Sequence, residues 1–168
     1  MGLKFLPILL ISMAFALPVD CQTKAIEPCK FLSSAEAEKI LGQPVELTEN
    51  VQSVSNGKTT FRCTYHRIEN DKITGREVNL YFMLEESPNE EQAKQIYKEI
   101  WDGNKKHEGI KVLNGIGNEA YSHSDKPNFH FILARKGKFT VRMKVNKAVE
   151  GTSLDELKAF AKRVVEQI

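Results

Sequence analysis

"NFHFILARKGKFTVRMKVN", residues Asn128 to Asn146, is the stretch that decides the fold. Phe129, Phe131 and Leu133 alternate in its first half, as do Phe139, Val141, Met143 and Val145 in its second. Alternation with period two marks a β-strand that buries one of its faces. Lys136-Gly137-Lys138 lies between the halves, and the glycine supplies the backbone freedom that a tight turn needs. The stretch reads as a β-hairpin, so the chain is committed to antiparallel sheet.

The same signals continue outward. "VELTENVQSV" and "KTTFRCTYHRI" flank Ser55-Asn56-Gly57, where Asn-Gly accepts the positive φ of a hairpin turn. Phe61, Cys63 and Tyr65 share one face of the second strand, with Arg62, Thr64 and His66 on the other. "REVNLYFML" points Val78, Leu80, Phe82 and Leu84 inward, and "IKVL" and "EAYSH" supply shorter strands. Three helices interrupt the sheet. Ser33-Ser34-Ala35-Glu36 is a capping box ahead of Ala37, Ile40 and Leu41, and Gly42 ends that helix. Ser87-Pro88-Asn89-Glu90 opens the second helix with Ser87 as its cap; Ala93, Ile96, Tyr97, Ile100 and Trp101 form its apolar stripe. Ser153 caps the third, with Leu157, Ala161, Val164 and Ile168 inward. The order α-βββ-α-βββ(β)-α predicts an α+β fold, an antiparallel sheet with helices packed on one face.

The N-terminus reads as an export signal. Lys4 precedes an apolar run from Phe5 to Leu17, and Ala14-Phe15-Ala16 fits a signal-peptidase site. The expected division is a signal peptide over 1–16, a linker over 17–27 and one domain over 28–168. Cleavage removes Lys4 and takes the net charge from +2 to +1. A near-neutral chain has no electrostatic bias toward nucleic acid or membrane, and it is read as a monomer. Export leads to an oxidising compartment, periplasmic or extracellular, where cysteines pair. Cys29 and Cys63 are the expected disulfide because both flank elements that pack together. Cys21 is a candidate lipidation site and would anchor the protein to the envelope, although Asp20 beside it fits a lipoprotein signal poorly.

Chemistry is sparse. Gly115-Ile116-Gly117-Asn118-Glu119-Ala120 has the outline of a dinucleotide loop, but Pro127 breaks any helix after it and no acid follows twenty residues on. It reads as a glycine turn into a strand. His123 and His130 bracket a turn and, with Asp125, offer a weak metal pattern; this 123–130 hairpin is the alternative site, for a metal or a small ligand. Glu85-Glu86 and Glu90-Glu91 read as helix-start acids. No catalytic motif occurs, so neither an enzyme nor a cofactor is expected. Arg62, His66, Lys138, Arg142 and Lys144 fall on outward strand positions and form a candidate basic binding face if their strands are neighbours. No aromatic residue is expected to interleave with them, so nucleic acid is not the expected partner.

"PCKFLSSAEAEKILGQPV" (Pro28 to Val45), "CTY" (Cys63 to Tyr65) and "GIGNEAY" (Gly115 to Tyr121), followed by a hairpin and a terminal helix, resemble a family layout. The layout is similar to that of small exported bacterial proteins, many of them lipoproteins of unknown function, with the PsbP-like fold. The resemblance implies the same Cys29–Cys63 pairing. It also implies a binding or assembly accessory without common catalytic residues, expected to contact a protein or envelope component through its sheet face or loops.

Overall fold

The computed structural model describes residues 28–168. The signal peptide, the linker and Cys21 fall outside the described residues. A short 3-10 turn, Pro28–Lys30, leads into α1 (Ser34–Leu41), β1 (Val45–Ser55), β2 (Lys58–Arg67) and β3 (Asn79–Glu86). Then come α2 (Glu90–Asn104), β4 (Ile110–Val112), β5 (Glu119–Asp125), β6 (Phe129–Lys136), β7 (Phe139–Val145) and α3 (Leu154–Gln167). All strands join one antiparallel sheet of seven, ordered β1-β2-β3-β7-β6-β5-β4, which is the α+β class read from the sequence. Among the described residues, no helix is long and apolar enough to cross a membrane.

Local signals act where they were read. Ser33 and Glu36 close a reciprocal capping box on α1, and Gly42 ends the helix at φ 78°. A side chain on Gly42 would also collide with the Gly151 carbonyl. Asn56 and Gly57, at φ 52° and 72°, make the β1–β2 turn. The cap of α2 lies two residues later than expected. Asn89, not Ser87, accepts the Gln92 N–H, so Pro88 stays outside the helix and Ser87 is buried at the end of β3.

The expected single helical face is also revised. Leu80, Phe82 and Leu84 of β3 continue through Val145, Met143 and Val141 of β7 to Ile132 and Ala134 of β6. That face packs against α1 and α3, with the Phe82 and Phe160 rings edge to face at 5.6 Å. The opposite face at the β4-β5-β6 end carries α2, through Tyr97, Trp101, Tyr121 and Leu133. Strand β6 is thus buried on both sides, and Phe131 and Leu133 face α2 rather than the main core. A near-continuous apolar run such as Phe131-Ile132-Leu133-Ala134 is what burial on both faces demands.

Cys29 and Cys63 are disulfide-bonded, with Cα atoms 5.6 Å apart, tying the 3-10 turn ahead of α1 to the main-core face of β2. Tyr65 donates to the Leu32 carbonyl at 3.0 Å beside it. The buried Arg67 guanidinium donates to the Leu41 carbonyl at the end of α1 and to the Glu150 carbonyl ahead of α3. Replacing both cysteines with alanine is expected to lower the unfolding free energy by about 3–4 kcal/mol, the scale of an entropic constraint on a loop this long. Phe82→Ala should cost about 3–5 kcal/mol by opening a cavity against Phe160. Urea titration checks both, and a smaller loss for Phe82→Ala than for an exposed Val54→Ala would contradict this account of the core.

Candidate functional site

The open side of the sheet is best followed along its cross-strand rows. One row runs Thr64, Tyr81, Lys144, Phe131, His123, Ile110 across β2, β3, β7, β6, β5 and β4. The next runs Arg62, Met83, Arg142, Leu133, Tyr121, Val112, and α2 covers its far half. Strand β3 therefore separates β2 from β7, and Arg62 and Arg142 stand two strands apart, about 10 Å. Helix α2 covers this face from β5 across β6 to the Thr140–Arg142 part of β7, and leaves β1, β2, β3 and the Lys144 end of β7 open.

The candidate basic residues do gather on that half, except Lys138, but they do not form a uniformly basic surface. Arg62 meets Glu49 at 3.2 Å, His66 meets Glu46 at 3.6 Å, and Arg142 lies 3.9 Å from Glu85. Lys138, at the β6–β7 turn, pairs with Glu86 at 2.5 Å instead. Lys144 has no carboxylate within ion-pair distance among the described residues; its ammonium sits 5.5 Å over the Phe129 ring. Glu85 is not a helix-start acid. It is a buried strand residue, paired with Lys58 at 3.1 Å. Aromatic rings do interleave with the cations, contrary to expectation: Tyr81 and Phe131 flank Lys144 on neighbouring strands.

A pocket of about 700 Å³ opens beside Lys144. Its floor is Lys144, Phe131, His123 and Phe129, and its wall is Asn104 with the loop His107-Glu108-Gly109 that follows α2. The β5–β6 turn closes it with Asp125 and Lys126. His123 stands edge to face on Phe129 at 4.8 Å and lies 5.6 Å from His107. Asp125 accepts from the Asn128 amide at 2.9 Å. Sequence reasoning found the hairpin but missed Asn104, His107 and Phe131 as its surroundings. The alternating phenylalanines were the available signal; they read as core because both faces of β6 were not yet in view.

The two histidines of the hairpin do not face one another. His123 pairs with Phe131 and Ser124 with His130, so the rings lie on opposite faces of the sheet. His130 is buried, its Nδ1 2.8 Å from the Ser124 hydroxyl. Among the described residues no group of three His, Cys, Asp or Glu side chains is arranged to hold a metal ion. The sheet separates the two imidazoles, so His123 and His130 do not converge on one metal ion.

Among the described residues, five buried side-chain atoms lack a hydrogen-bond partner: Glu85 Oε1, Ser87 Oγ, Tyr121 Oη, Thr140 Oγ1 and Arg142 Nε. Glu85 and Thr140 are cross-strand partners, and Arg142 and Tyr121 lie in the adjoining row of this same face. Buried polar atoms of this kind are ordinarily satisfied by ordered water or a ligand. Burial raises the Tyr121 hydroxyl to about 12, so it remains a neutral donor at any ordinary pH.

The glycine string is a turn, as read. Gly115 and Gly117 have φ of 77° and 62°, no helix follows, and β5 begins at Glu119. Ile116 between them is buried in the main core with Val165 of α3. The chain matches no protein-family model, and no curated protein or solved structure matches it either.

Burial holds the His130 imidazole below its ordinary 6.5, with Lys126 and Lys158 acting in the same direction. His123 is lowered by burial and by His107, against the Glu108 carbonyl and Asp125. The unfolded chain therefore takes up protons near pH 6.5 while the folded chain waits for a lower pH. Stability contributed by the neutral rings is present above the unfolded value and declines as pH falls toward the folded one. Urea midpoints should drop as the pH falls below about 6.5, and His130→Gln should flatten the slope; a wild-type midpoint that rises on acidification contradicts the assignment.

Proposed function

We propose that the protein is an exported, non-catalytic binding or accessory module that receives a protein or envelope component on the half of the sheet face that α2 leaves open. The observation that carries this reading is continuity: the pocket of about 700 Å³ opens directly beside Lys144, on the row that Tyr81 and Thr64 extend across the open half. An ammonium with no carboxylate in ion-pair reach among the described residues, set among Tyr81, Phe129 and Phe131, suits an acidic group presented next to an apolar one. Ion pairing of Arg62, His66 and Arg142 to glutamates limits the field for a polyanion and favours a discrete contact. The disulfide is compatible with an oxidising, exported location. The resemblance to exported proteins with the PsbP-like fold supports an accessory role as well.

A second reading, a small-ligand carrier, draws on one specific observation. His123, Asp125 and Phe129 of the 123–130 hairpin line a pocket whose volume falls within the range of about 300–1,000 Å³ usual for small-molecule sites.

Immobilised protein is expected to retain one component of envelope extract, and Lys144→Glu should release it while Val112→Lys, at the far edge, keeps it. Equal retention by Lys144→Glu would count against the open face as the docking surface. A rise in melting temperature of several degrees with a small aromatic acid, lost in Phe129→Ala, would transfer the function to the carrier reading.

A further inference from the structure

The two edges of the sheet are finished differently. Strand β4, at one edge, is only three residues long and has Lys111 at its centre. Short length and lysine are devices that keep an edge from recruiting another strand. Strand β1, at the other edge, is eleven residues long and contains neither lysine nor proline. Among the described residues β2 is the one strand paired with it, so its outer side has no strand beside it. Val51 and Val54 stand on it 39% and 69% exposed. One bulge interrupts the strand between Leu47 and Glu49, and from Glu49 to Ser55 the pairing with β2 is regular.

The regular part of β1 is complementary to itself. A two-fold axis normal to the sheet through Val51 sets two copies antiparallel, with each residue opposite one on the same face. Val51 then meets Val51 of the second copy, Asn50 meets Gln52 and Glu49 meets Ser53, all within the stretch that is free of the bulge. A β-branched pair sits on the axis, two amides face each other, and no like charges are opposed. Centring on Glu49 would oppose two carboxylates, and centring on Asn50 would set Glu49 against Val51. Glu49 is also already held within its own subunit, by Arg62 at 3.2 Å and the Thr64 hydroxyl at 2.9 Å.

We propose that the protein forms a two-fold dimer through antiparallel pairing of the β1 edges, centred on Val51, which joins two seven-stranded sheets into one continuous sheet. The proposal is independent of the ligand pocket, which is built at the other end of the sheet and stays open in the dimer.

Sedimentation velocity of the purified protein over a concentration series tests it. The wild type is expected to show a reversible monomer–dimer equilibrium. Val51→Lys, which opposes two ammonium groups on the axis, should raise the dimer dissociation constant at least about tenfold, with the circular dichroism and melting temperature of the monomer retained. Val112→Lys on the β4 edge should leave the equilibrium unchanged. A wild type that is monomeric at every concentration overturns the proposal. So does a dimer that survives Val51→Lys, or one that Val112→Lys dissolves instead.

Discussion

Lys136 pairs with Phe139 across a two-residue turn, and every side chain on the central strands takes its face from that register. The period of a strand is two, so a slip of one residue would exchange the contents of the two faces. Met143 and Val141 would leave α3, while Arg142 and Lys144 would be driven into the main core beside Phe160. Neither exchange is tolerable, because burying two unpaired cations costs far more than a hairpin can return. The turn is thus held in place from both sides of the sheet. Both cores and the pocket inherit their positions from it.

That register also separates the tasks of the two faces. The main core fills one face from β2 to β5 under α1 and α3, with Arg67 joining the carbonyl end of α1 to the segment before α3. The other face is divided: α2 seals one half with a small aromatic cluster, and the remaining half is polar, partly ion-paired and open. The pocket lies where the helix ends. Its walls are therefore one rigid sheet floor and two loops, an arrangement in which binding groups are positioned by strands and adapted by loops.

How much of this was legible in the sequence depended on how local each signal is. The capping box at Ser33, the Asn56-Gly57 turn and the β6–β7 hairpin act within a few residues, and each stands where it was read. The cap of α2 was not decidable in the same way, because Ser87 and Asn89 both offer a capping oxygen ahead of the same helix. The sheet chose between them by burying Ser87 at the end of β3. The histidines of the 123–130 hairpin illustrate a different gap. Whether two residues flanking a turn share a face depends on the loop length to within one residue, and a stretch containing Ser, Asp, Pro and Asn does not fix that. The charge of the basic face was legible only in part for a third reason: composition displays the cations, whereas Glu46, Glu49 and Glu85 reach them only through cross-strand pairing. Function was the least legible of all, since the pocket is assembled from α2's end, β5, β6 and β7, and no single segment carries it.

The chain has one tryptophan, and the fold places it on the smaller side of this division. Trp101, on α2, meets the Tyr121 ring at 5.0 Å in a tilted contact, with the whole sheet between it and the Phe82–Phe160 contact. Its emission is thus a private reporter for one helix, while the disulfide and the larger core are optically silent at that wavelength. An unfolding curve followed by fluorescence and one followed by backbone ellipticity measure two different objects in this protein. Their coincidence or separation states whether α2 is part of the cooperative unit or a flap laid upon it.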